Sequence, residues 1–157
     1  DKNSKVTVWI PQSFPDEIRK EILQKGARFV DVSGPAMIYP WVSTTGELGS
    51  GIKEQSLLVK SPKGLVVVTG CAHPGIVEVV KTAKAQTGED IYLAIGGFHL
   101  KGESESAVIS IINSMKELGV KTAAPCHCSG QRTRELFEKN YGQGYVANGA
   151  GKEIIVE

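Results

Sequence analysis

Apolar positions along the chain follow two rhythms. KVTVWI (5–10) alternates and is rich in β-branched residues, which predicts a strand, and ARFVDV (27–32) predicts a second. Between them PDEIRKEILQKG (15–26) has helical spacing. Pro15 suits its first turn, Asp16 and Glu17 its positive end, and Gly26 its stop. QSLLVK (55–60) and LVVVTG (65–70) flank the turn SPKG (61–64), which predicts a hairpin. IYLAIGG (91–97) and VKTAAP (120–125) are unbroken apolar runs of the kind buried on both faces of a sheet.

Three helical patterns follow the last three of these strands. After His73, apolar residues at 76, 77, 79, 80 and 83 share one face and Gly88 ends it. ESESAVISIINSMKELG (103–119) has Ser104 as cap and Gly119 as terminator, and SGQRTRELFEKNYG (129–142) opens on a hydroxyl. YVANG (145–149) and KEIIVE (152–157) predict two short closing strands. Residues 33–54, SGPAMIYPWVSTTGELGSGIKE, read as a long irregular loop with one short strand near Met37 to Trp41. Strand–helix repeated three times, joined to a hairpin meander, predicts an α/β protein with a mixed sheet covered by helices. A length of 157 residues suits one domain, 1–157.

Composition narrows the function classes. With a net charge of +1 and no long basic run, a general electrostatic grip on nucleic acid or an anionic membrane is not expected. No apolar run approaches the roughly 20 residues that span a bilayer. An odd count of three cysteines, two of them only two residues apart, favours a reducing cytoplasm. The opening DKNSKVTVWI has no methionine and enters an apolar run at once, which reads as a piece of a longer chain.

The chemistry gathers at strand ends. LVVVTGCAH, IYLAIGGFH and VKTAAPCH each run from an apolar strand into a histidine, and His73, His99 and His127 are the only three in the chain. In an open α/β sheet, functional groups collect where the carboxyl ends of strands meet the following helices. If the three strands are parallel neighbours, three imidazoles converge on one sheet edge. Such a cluster suits metal ligation or acid–base work better than three separate structural roles. Cys71 stands two residues before His73 and would share its side in extended backbone. Cys126 and Cys128 flank His127 and, if extended, point away from it, as small residues packed behind the site.

With GCAHPGI, IGGFHL and PCHCSG in view, the chain resembles the metallo-β-lactamase superfamily. Within it, the sequence is most similar to the dihydropterin-ribofuranosylaminobenzene phosphate synthase-like metal-dependent hydrolases, which share these motifs in order together with a loop such as TTGELGSG and a hairpin such as SPKGLVVVTG. The hallmark H-x-H-x-D-H is absent, so the resemblance is to the C-terminal portion of an αββα sandwich. It implies a metal-dependent hydrolase that acts on an ester or a phosphate-bearing small molecule through metal-activated water. His73, His127 and Cys71 would be metal ligands, and His99 would orient substrate or protonate the leaving group. Zinc or another divalent transition metal is the implied cofactor, with two ions in the complete protein.

Two other readings stay open. The chain can be catalytically silent, a binding or assembly module that dimerises through an apolar sheet face or pairs with a missing N-terminal half. Thiol chemistry at Cys71 is the third, without a C-x-x-C motif to support it. Nothing in the residues discloses the substrate; Trp9, Tyr39, Trp41 and Phe98 are candidates for an aromatic wall or for simple packing.

Overall fold

The computed structural model describes residue 3 and residues 5–156. Asp1, Lys2 and Ser4 of the opening segment and Glu157 of the closing one lie outside the described residues. Strand β1 (Thr7–Pro11), helix α1 (Asp16–Gln24) and strand β2 (Arg28–Val32) form a unit of their own, with β1 and β2 paired in parallel. Arg19 holds it together. Its guanidinium donates to Asp31 Oδ1 at 2.7 and 2.9 Å and to the Gln12 carbonyl at 2.7 Å, and it also contacts the Phe14 carbonyl.

The main sheet has six strands in sequence order: β3 (Ala36–Tyr39), β4 (Val42–Thr44), β5 (Leu57–Ser61), β6 (Gly64–Thr69), β7 (Ile91–Gly97) and β8 (Thr122–Cys126). From β3 to β6 neighbours are antiparallel; β6, β7 and β8 are parallel. The parallel crossovers are made by α2 (Ile76–Thr87) and α3 (Glu105–Glu117), and α4 (Gln131–Tyr141) follows β8.

Register explains which side is core. Leu58 pairs with Val67, Val67 with Ala94 and Ala94 with Ala123, so four strands contribute one row to the same face. All four are buried and join one cluster with Val79, Val80, Ile112, Met115 and Phe137 from the helices. Full burial of each valine, leucine, isoleucine, methionine or phenylalanine side chain among them stabilises the fold by about 1.5–3 kcal/mol. Neighbouring positions point to the opposite face. There Val66, Val68 and Ile95 are half-buried and Leu57 is 41% exposed. Among the described residues, no helix is long and apolar enough to cross a membrane.

Three expectations need correction. Residues 33–54 are not one irregular loop with a single strand, because β3 and β4 form an antiparallel hairpin around Pro40 and Trp41. The predicted strand at 145–149 is a single parallel bridge between Tyr145 and Ala123. Residues 152–156 form no strand: Ile155 is 72% exposed, and an alternating pattern without a partner strand has nothing to pair with. At the start, the two predicted strands form as β1 and β2, a separate parallel pair.

Candidate metal centre

The condition set by the sequence is met: β6, β7 and β8 are adjacent and parallel, and their carboxyl ends carry His73, His99 and His127. Each strand leaves the sheet through one residue in left-handed backbone: Ala72 (φ 57°), His99 (φ 51°) and His127 (φ 49°). None is a glycine, and residues with side chains enter this region at a cost of roughly 1–3 kcal/mol each.

The three ends are tied together by buried hydrogen bonds. Thr69 Oγ1 donates to the Gly97 carbonyl at 2.9 Å, and the Gly97 N–H donates to the Gly70 carbonyl at 2.9 Å. Ser129 is completely buried and does not cap α4, as its position before that helix suggests. Its hydroxyl donates to the Cys126 carbonyl at 2.7 Å and accepts from the Phe98 N–H at 3.1 Å. The Lys101 N–H donates to the Cys128 carbonyl at 3.2 Å. Phe98 and Leu100, both buried, clamp exposed His99 between them.

Gly96 and Gly97 make this proximity possible. A Cβ on Gly96 would lie 2.2 Å from the Thr69 carbonyl oxygen. One on Gly97 would lie 2.4 Å from the Gly70 carbonyl oxygen and 2.7 Å from Cys128 Sγ. Neither position has room for a side chain.

Two groups of donors result. One ring nitrogen of His73, Cys71 Sγ and a carboxylate oxygen of Glu54 lie within 4.8 Å of one another. One ring nitrogen of His127 and the thiols of Cys71 and Cys128 do the same. Cys71 belongs to both. His99 lies in neither, but its ring centroid is 4.3 Å from that of His73. All four residues singled out from the sequence therefore reach one place.

Glu54 and Cys128 were not anticipated. Glu54 ends the irregular segment, where the Leu48 N–H donates to its carbonyl at 2.8 Å and its own N–H to the Leu48 carbonyl at 3.1 Å. Gln55 fixes it from the other side. Its amide donates to the Trp9 carbonyl at 2.8 Å and accepts from Thr44 Oγ1 at 2.8 Å. Glu54 grips His73 twice, accepting from the backbone N–H at 3.3 Å and contacting Nδ1 of the ring. A carboxylate partner fixes the proton on Nδ1 and leaves Nε2 as the nitrogen able to ligate or accept a proton.

Extended backbone through PCHC would turn Cys128 away from the site, but the backbone there is not extended. The left-handed His127 opens a 3₁₀ turn, His127–Ser129, that folds Cys128 back toward Cys71. Its thiol lies 3.6 Å from the Cys71 carbonyl oxygen. Ala72 likewise breaks the extension assumed between Cys71 and His73, yet their donor atoms still meet.

One carboxylate, two thiols and two imidazoles form a donor set suited to a divalent transition metal, and the missing side chain at Gly97 leaves room for a sulfur ligand. Burial pushes the Cys71 thiol above its ordinary pKa, and Cys128 and Glu54 act in the same direction. An adjacent cation reverses that balance and favours thiolate. An open cleft of ≈ 280 Å³, lined by Trp9, Pro11, Phe14, Gln55, Glu54 and Gly70, leads to this edge. Of the other aromatics, Phe98 packs against Phe137 in the core, and Tyr39 meets Trp41 on the exposed hairpin, 4.6 Å between centroids.

The fold and its site define a class. This is a β-lactamase-type fold: the chain matches the crystal structure of Tm1679, a metal-dependent hydrolase of the β-lactamase superfamily, with a TM-score of 0.80 and 24% identity over 99% of this chain and 73% of that one. A possible metal-dependent hydrolase from Veillonella parvula matches with a TM-score of 0.60 and 9% identity over 96% and 66%. No protein-family model matches the chain.

Among curated relatives, 7,8-dihydropterin-6-methyl-4-(β-D-ribofuranosyl)-aminobenzene-5′-phosphate synthase of Methanocaldococcus jannaschii is 29% identical over 164 aligned positions, which cover 87% of this chain and 56% of that protein. An uncharacterised protein of the same organism is 35% identical over 83 residues, 52% of this chain and 31% of its own length. The chain thus spans about half the length, or less, of the curated relatives it matches. The resemblance carried by GCAHPGI, IGGFHL and PCHCSG points to the same proteins.

Proposed function

We propose that this chain provides the metal-holding sheet edge of a metal-dependent hydrolase that acts on an ester or a phosphate-bearing small molecule. The observation that carries this reading is the convergence of Cys71 and His73, at the end of β6, with His127, at the end of β8, on one edge of the parallel strands. In it these three residues are metal ligands, and zinc is the preferred ion, with a second ion in the complete protein. A bound divalent metal supplies Lewis acidity and makes water a competent nucleophile near neutral pH.

The chain's own residues do the remaining work. Glu54 holds the His73 ring with its proton on Nδ1. His99, exposed at the edge and close to His73, donates a proton to the leaving oxygen. The apolar side of Trp9 and Phe14 excludes water from part of the cleft. Three free cysteines suit a reducing compartment, and the cytoplasm is the setting proposed.

The experiment is metal content and turnover. The full-length protein that carries this chain is expected to copurify with zinc and to hydrolyse an activated phosphodiester such as bis-p-nitrophenyl phosphate. His127→Ala should lose both. A His127→Ala protein with undiminished metal and rate would rule the reading out.

An assembly role is the second reading, favoured by the face opposite the helices. Tyr39, Val42, Val59 and Val66 align across four strands there, beside Leu57 and Val68. Multi-angle light scattering separates the two: a homodimer supports assembly, and a monomer that holds no metal argues against both readings.

A further inference from the structure

We propose that Cys128 is a metal ligand and that Cys71, His127 and Cys128 together form a sulfur-rich site for one zinc ion. The inference rests on the metal-dependent reading above and adds to it a ligand, a donor chemistry and a metal preference.

Geometry is the first support. The three donor atoms lie within 4.8 Å of one another. With Zn–S near 2.3 Å and Zn–N near 2.0–2.1 Å, tetrahedral ligands stand about 3.8 Å apart for two sulfurs and about 3.5 Å for sulfur and nitrogen. Side-chain adjustments of about 1 Å therefore close the site around an ion.

Construction is the second. Cys128 is not a loose surface thiol: its carbonyl is held by the Lys101 N–H, and its neighbour Ser129 is buried and bonded on both sides. Its sulfur fills the space a side chain at residue 97 would occupy, 2.7 Å from the position of that Cβ. The end of β7 is thus shaped around the Cys128 thiol.

Chemistry is the third. Two thiolates balance a 2+ charge and, being soft donors, select zinc or cobalt over magnesium or manganese. The Glu54 and His73 side offers oxygen and nitrogen instead, so the shared edge has a soft and a hard end with Cys71 between them. Three protein ligands leave the fourth zinc position open, the arrangement of a catalytic rather than a structural ion.

The reduced 157-residue chain can be titrated with Co²⁺ and followed by absorption. We expect one equivalent to produce a near-ultraviolet thiolate-to-cobalt charge-transfer band that zinc abolishes by displacement. Cys128→Ser should lower that band by about half, since one of two sulfur ligands is lost. It should weaken cobalt binding by at least the roughly 10–100-fold that loss of an outer-sphere partner costs. Cys126→Ser, whose thiol lies outside both donor groups, should leave band and affinity unchanged.

Far-ultraviolet circular dichroism checks that Cys128→Ser is folded, and X-ray absorption of the zinc-loaded wild type counts sulfur neighbours without any variant. Two sulfurs support the site. One sulfur, or a full band in Cys128→Ser, removes Cys128 and leaves the hydrolase reading on Cys71, His73 and His127 intact. A chain that binds no cobalt overturns the sulfur-rich site, whereas the hydrolase reading stands or falls on the turnover of His127→Ala.

Discussion

Replacing Gly97 with alanine tests how the strand ends hold the donors together. The added Cβ would sit 2.4 Å from the Gly70 carbonyl oxygen, 2.7 Å from Cys128 Sγ and 3.1 Å from the Cys71 Cα. Ordinary contacts of this kind lie near 3.4 Å or beyond, so β7 must retreat from β6 by close to 1 Å. Two of the three obstacles are backbone and cannot rotate away. Overpacking of this sort costs about 1–3 kcal/mol. The Gly97–Gly70 hydrogen bond, 2.9 Å long, weakens in the same movement and adds about 1 kcal/mol. Gly97→Ala should therefore lose about 2–4 kcal/mol in urea denaturation, and its cobalt affinity should fall as Cys71 and Cys128 are pushed apart. Gly70→Ala is the control. It lies on the same edge, and a Cβ there meets nothing within 4 Å, so its stability should stay within about 0.5 kcal/mol of wild type. A Gly97→Ala protein with a wild-type midpoint, or a Gly70→Ala protein equally damaged, would refute the packing argument.

Glu54→Gln keeps the shape but removes the charge that holds His73; zinc affinity should drop roughly 10–100-fold in competition with a chromophoric chelator, while the thermal midpoint of the apoprotein moves little. Tyr141→Phe should raise stability by about 1 kcal/mol in urea, because the buried Tyr141 hydroxyl finds no hydrogen-bond partner among the described residues. Phenylalanine keeps the stacking on Phe137 and the Lys116 ammonium over the ring. The same variant tests a pH dependence. Burial raises the Tyr141 pKa above its ordinary 10.0 in the folded chain only, so wild type keeps its full stability below that pH and loses it above as the unfolded tyrosine ionises first. Alkaline titration of the two proteins should show a steeper decline in wild type, and parallel curves would contradict the assignment.

Most of the scaffold was legible because its strands and helices carry strong local patterns. IYLAIGG emerges as β7 with both ends in place, and Ser104 caps α3 by accepting from the Ala107 N–H at 3.2 Å. Errors fell where an element depends on what lies beside it. Pro40 hid the hairpin of β3 and β4, since a proline between short apolar stretches reads as loop although it suits a tight turn. KEIIVE has the composition of a strand, but strand formation needs a neighbour, and residues 152–156 have none among the described residues. The site divides the same way. His73, His99, His127 and Cys71 declared themselves by recurring at strand ends. Glu54 could not, because its meeting with His73 depends on Gln55 bridging β1 and β4. Cys128 was misplaced by one dihedral angle, the positive φ of His127.

That angle belongs to a pattern that bears on what the edge is for. Ala72, His99 and His127 are the only residues other than glycine with positive φ among the described residues, and one stands at the end of each parallel strand. Together they cost roughly 3–9 kcal/mol, a large share of the 5–15 kcal/mol by which a domain is stable. Asparagine or glycine would relieve the strain at His99 and His127, where the side chains are exposed and contribute nothing to the core. The strain persists because the surroundings over-determine it: Phe98 and Leu100 are buried on either side of His99, and Ser129 and the Lys101 N–H hold the turn after His127. Packing does not require an imidazole at either position. Two strained, exposed histidines beside two thiols and a carboxylate make sense as donors placed for chemistry, with the cross-tied strand ends holding them in position.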